Sequence, residues 1–156
     1  MTTGPRISDA QTQPRRPTVY VPPPPTREPV TISRDVLLLL SLVDIPASAR
    51  RTLDVLLAIH TPDDGTACIS HDEMCSALGA SKPTVNKAFR ALREAGLAWP
   101  VDDFGGCYQL HPLLTNGAVA GPAVAVPEIK AMSPEAFQAI RRARYAAQTQ
   151  TLHRTA

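Results

Sequence analysis

Aromatic side chains are scarce in this chain, at 4% of 156 residues. Any core must therefore rest on Leu, Ile, Val and Ala. Long apolar runs are also missing. Val36 to Val43 is the one strongly apolar stretch, interrupted by Ser41 and far shorter than the ~20 residues a bilayer-spanning helix needs, so no membrane partner is expected. No apolar signal segment stands at the N-terminus, which makes the cytoplasm the expected compartment. The three cysteines form no CxxC pair, a usage that suggests reduced thiols and not a disulfide framework. Cys68, His71, Cys75 and Cys107 could be imagined around zinc, but their spacing is irregular and Cys75 is better explained by core packing. No metal or cofactor is expected. His60, His71, His111 and His153 lack a nucleophile partner pattern, and neither a Walker loop nor a Rossmann glycine pattern occurs. Enzymatic activity is not expected, and no small-molecule effector can be identified. Without sustained heptads, no coiled coil is expected.

Proline, by contrast, is plentiful and uneven. Eight of the 16 prolines fall in residues 1–31, including the run Pro22 to Pro25. Such a segment cannot bury enough apolar surface to fold, so a disordered arm with polyproline II character is expected. Pro22, Pro25 and Arg27 fit an SH3-type ligand pattern, although a plain spacer explains them more simply. Residues 32–115 form the expected folded domain, 116–132 a Gly/Ala/Val/Pro linker, and 133–156 a basic helix and tail opened by Ser133-Pro134-Glu135. That last helix is expected to reach about Ala147, with Arg141, Arg142 and Arg144 favouring its C-terminal end. This helix allows a solvated tail, dimerisation through Phe137 and Ile140 on one face, or extra phosphate contact. Charge divides as +2, −3 and +3 over residues 1–31, 32–115 and 116–156. An acidic central region argues against indiscriminate polyanion binding and favours one focused basic face.

The most specific signal lies between Ser70 and Leu97. Ser70 can cap a helix that Glu73 reinforces as a capping box, with Met74, Cys75 and Leu78 on one face. Gly79 ends that helix through the left-handed conformation that glycine enters freely. Ser81 is the next N-cap, Pro83 sits in the first turn, and Gly96 is the stop. Between them, Val85, Ala88, Phe89, Leu92 and Ala95 gather on one side at about 100° per residue. Lys82, Pro83, Asn86, Lys87, Arg90, Arg93 and Glu94 gather on the other. A charged face is often only solvated surface, but this one sets four cations against one carboxylate. Asn86 can pair bidentately with adenine and Arg90 with guanine, while Lys82 and Lys87 suit phosphates.

Further strands frame this pair of helices: Thr66 to Ile69 before it, then Leu97 to Val101, a turn over Asp102 to Gly106, and Cys107 to Leu110. From about Arg50 to Leu114 the chain resembles the winged helix-turn-helix superfamily. Its spacing is similar to that of the MarR-like bacterial regulators, with Ser81-Lys82-Pro83-Thr84-Val85 opening the recognition helix and Leu92-Arg93-Glu94-Ala95-Gly96-Leu97 closing it. A second resemblance is narrower. Gly106-Cys107-Tyr108-Gln109-Leu110-His111-Pro112 is similar to the Gly-x-Tyr-x-Leu-Asn-Pro ending of winged-helix replication proteins of small bacterial plasmids, with His111 where asparagine is usual. The apolar segment Ile32 to Val43 and a helix from about Ala47 to His60 are similar to that family's lead-in.

These resemblances imply a mainly α fold with a small β-wing, flanked by the Pro-rich arm and the C-terminal linker and helix. They also imply sequence-specific binding to double-stranded DNA, with the helix over 82–95 in the major groove. Asn86 and Arg90 are the expected base readers. Lys82, Thr84, Lys87 and Arg93 position the backbone, and Ser81 and Pro83 open the helix. The acidic tip, Asp102 and Asp103, is not counted among the contacts. Three roles stay open: a transcriptional regulator binding as a possible homodimer, a plasmid replication initiator, and a protein-interaction module.

Overall fold

The computed structural model describes residues 20–24, 27–101, 105–117, 119 and 126–154. Among them five helices and three strands follow in the order α1 (Arg34–Ser41), α2 (Ala47–Ile59), β1 (Thr66–Cys68), α3 (His71–Leu78), α4 (Lys82–Glu94), β2 (Ala98–Pro100), β3 (Cys107–Leu110) and α5 (Pro134–Arg154). The protein is mainly α with a small antiparallel sheet.

Local chemistry sets most of the helix ends. Ser33 Oγ accepts the Val36 N–H at 3.2 Å to start α1. Ser70 Oγ accepts the Glu73 N–H at 3.1 Å to start α3, and its own hydroxyl donates to the Glu73 carboxylate at 3.0 Å. Gly79 closes α3 in the left-handed region, with φ 61° and ψ 38°. Ser133 Oγ accepts the Ala136 N–H at 3.2 Å and opens α5.

Packing centres on α2, which lies against α4, α3 and β1. Ala49, Leu53 and Leu56 recur at helical spacing along its inner stripe and are fully buried. Met74 of α3, Val85 and Leu92 of α4, and Leu97, Leu110 and Leu114 complete this aliphatic centre. Few rings take part. Phe89 of α4 stacks on His71 (centroids 4.9 Å apart) and on Tyr108 (4.3 Å), and His71 Nε2 lies 2.9 Å from the Tyr108 hydroxyl. That cluster ties α3, α4 and β3 together.

The strand order is β1-β3-β2, both pairings antiparallel. Thr66 faces Gln109, and Ala98 faces Leu110. This register also puts Cys68 directly opposite Cys107, and the two are joined in a disulfide. The expectation of three reduced thiols is thus corrected: only Cys75 is free among the described residues. Among those residues no group of three or more His, Cys, Asp or Glu is placed to hold a metal ion.

Other differences concern the flanks. The apolar run after Ile32 is a helix, α1, which buries Val36 and Leu40 and leaves Leu37 and Leu38 exposed. Helix α5 continues to Arg154, so Arg141, Arg142 and Arg144 sit mid-helix, too far from its C-terminus to act on the macrodipole there. Within the stretch read as linker, Ile129 is buried. Residues 20–24 and 27–31 of the arm are non-helical and exposed. The acidic turn, Asp102 and Asp103, lies outside the described residues. No helix among the described residues is long and apolar enough to cross a membrane.

Candidate nucleic-acid interface

Helix α4 has the sharpest division between faces. Val85, Ala88, Phe89 and Leu92 are buried. Lys82, Pro83, Asn86, Lys87, Arg90 and Arg93 are all exposed, with Ser81 beside them, while Thr84 is half-buried. Lys82, Asn86, Arg90 and Arg93 follow one another at spacings of four, four and three, so they line up along one outward stripe. At 1.5 Å per residue that stripe is about 16 Å long. Pro83 and Lys87 run alongside it. The structure therefore brings all eight sequence-predicted residues to one helix and its cap.

The start of α4 is built in a particular way. Ser81 occupies the N-cap with extended backbone (φ −77°, ψ 159°), but its hydroxyl pairs with Thr84 Oγ1 at 3.0 Å and caps no N–H. The first-turn N–H groups thus keep their bonding capacity on an electropositive helix end. Lys82 Nζ stands 3.2 Å from Asp72 Oδ1, with both side chains more than two-thirds exposed. Such a pair is screened by water and salt and contributes little. Lys87, Arg90 and Arg93 make no salt bridge among the described residues.

Support from behind comes through polar as well as apolar contacts. Arg51 of α2 donates to the Leu78 carbonyl at 3.0 Å, meeting one of the unpaired carbonyls at the end of α3. This fixes the helix that precedes the turn into α4. Nothing in the residue spacing singles out Arg51 for that duty.

At its other end, α4 meets a segment that composition concealed. Residues 127–132 cross the helix terminus as a strap. The Lys130 N–H donates to Ala95 O at 3.0 Å, and the Met132 N–H to Leu42 O at 2.9 Å. Gly96 has φ +76°, and a Cβ placed there would stand 2.5 Å from the Glu128 carbonyl oxygen. Both the backbone angle and the close approach require glycine. His111 clasps the strap from the sheet side. Its Nδ1 accepts the Leu113 N–H at 3.1 Å, so Nε2 carries the proton and donates to Pro127 O at 3.0 Å. Burial pushes the His111 imidazole below its ordinary pKa, opposed by the bond to Pro127. The isolated Ile129 between Glu128 and Lys130 was the available sequence signal, one apolar anchor between two charges.

Helix α5 is tied back by a bidentate pair. Arg144 donates to both carboxylate oxygens of Asp44, at 2.8 and 3.2 Å. Arg141, Arg142 and Tyr145 stay exposed. No family model matches this chain, and no match is found among curated proteins or solved structures.

Proposed function

We propose that this protein binds double-stranded DNA sequence-specifically as a winged helix-turn-helix protein, acting as a transcriptional regulator, with α4 as its recognition helix. One observation carries the reading: the face of α4 holding Asn86, Lys87, Arg90 and Arg93 is exposed, while its opposite face is sealed into the core. The order helix, strand, two helices joined by a tight turn, and two further strands supports it. A helix of about 10–12 Å diameter fits the major groove. Asn86 then reads adenine and Arg90 reads guanine, each through two hydrogen bonds, while Lys82, Thr84, Lys87 and Arg93 hold phosphates. Ser81 and Pro83 shape the end that enters first.

A second reading, a plasmid replication initiator using the same helix on origin repeats, is favoured by the ending Gly106 to Pro112. Clustered repeats beside the gene would decide for it. The test common to both uses duplexes selected from a random pool. Arg90→Ala should cost about 1–3 kcal/mol at the preferred site and relax one base position. Lys87→Ala should weaken all sequences alike and flatten the salt dependence. If both substitutions leave binding untouched, this face is misassigned. A chain that retains no duplex even at low salt would instead be a protein-interaction module.

A further inference from the structure

We infer that the strap over residues 127–132 supplies a further DNA contact, in which Lys130, with Arg93, seats a phosphodiester of the duplex at the C-terminal end of α4. The inference rests on the reading of α4 as a DNA-binding helix. It adds a residue that lies outside the helix and 36 positions beyond its last residue, Glu94.

The placement is built into the fold. Lys130 is held through its main chain, whose N–H bonds Ala95 O at 3.0 Å. The neighbouring Ile129 is buried, and His111 Nε2 donates to Pro127 O at 3.0 Å on the far side. The missing side chain at Gly96 lets the strap lie directly on the helix end, with the Glu128 carbonyl where a Cβ would stand. None of these restraints uses the Lys130 side chain, which is exposed and makes no salt bridge among the described residues. Arg90, Arg93 and Lys130 line one shallow groove with Glu94, Gly96, Pro127 and Glu128.

Helix length explains why a contact is needed there. Thirteen residues of α4 span about 20 Å, whereas the major groove is about 12 Å wide. A helix seated in the groove therefore brings its two ends close to the two flanking backbones. Lys82 serves the first end. Arg93 and Lys130 serve the second, the guanidinium as a planar fork and the ammonium as a point charge. Glu94 and Glu128 reduce the positive potential of this groove, so its strength responds to either sign of substitution.

Binding of the full chain to its selected duplex, measured across a series of salt concentrations, tests this. Lys130→Gln should make the slope of log K against log [salt] shallower by about 0.9, the value for one phosphate. Base preference and melting temperature should not change. Lys130→Arg should keep the wild-type slope, and Glu128→Gln should tighten binding. An unchanged slope in Lys130→Gln, with Arg90→Ala still relaxing one base position, would overturn the seat and leave the α4 reading standing. A change of base preference in Lys130→Gln would overturn it too. Failure of the wild-type chain to bind any duplex would remove both.

Discussion

Gly96→Ala measures how firmly the strap is held, and its magnitude can be worked from the geometry. At φ +76° an L-residue in the left-handed region costs about 1–2 kcal/mol. Its Cβ would also stand 2.5 Å from the Glu128 carbonyl oxygen, a backbone atom that cannot swing aside. The strap must move. Losing the Lys130 N–H to Ala95 O bond costs about 1 kcal/mol, and re-exposing much of Ile129 about another 1.5 kcal/mol. Stiffening of the unfolded chain offsets roughly 0.4–1 kcal/mol of this. The sum is a loss of about 2.5–4 kcal/mol. Gly79→Ala is the internal control, because Gly79 has φ +61° but nothing within 4 Å of the added Cβ. It should cost only about 1 kcal/mol. Urea unfolding followed by circular dichroism gives both values. Equal losses in the two variants would show that the strap does not rest on Gly96, and would refute the packing described for the end of α4.

Two further outcomes concern stability. The Cys68–Cys107 disulfide spans 39 residues, so reduction should lower unfolding stability by about 4 kcal/mol on the chain-entropy model. Urea midpoints with and without reductant check this, and a Cys68→Ser variant should no longer respond to reductant. His111 titrates below its ordinary value of 6.5 because it is buried. As pH falls from that value through the lower folded-state pKa, the unfolded chain takes the proton first and stability is lost. Melting curves at a series of pH values should show a shallower acid-side decline for His111→Asn than for wild type.

Much of the central region was legible because its punctuation is strong. Ser70, Gly79, Ser81 and Gly96 each carry a conformational preference that marks a boundary, and the helices run between them. The division of α4 into two faces followed from periodicity alone. Helix α1 was less visible because Val36 to Leu40 is apolar on every side and has no period to read. Helix α5 runs past Ala147 because Ala147 to Arg154 contains neither Gly nor Pro to stop it. Cys68 and Cys107 carry no local motif. Only the pairing of β1 with β3 makes them neighbours, and that is a tertiary fact. The strap was hidden by its composition, where prolines and alanines around Ile129 and Lys130 read as linker. Its anchoring groups, the Ala95 carbonyl and His111, are distant in sequence. For the same reason nothing in the local sequence draws attention to Lys130, whereas Arg90 and Arg93 stand out by their helical spacing.

Amide chemical-shift mapping of the full chain, titrated with a duplex selected from random sequence, tests the DNA-binding face most directly. The expected result is that the largest changes fall on residues 82–93, with the side-chain amide of Asn86 among them, and a smaller set on the strap. Changes confined to another surface, such as Arg141, Arg142 and Tyr145 on α5, would contradict the assignment of α4.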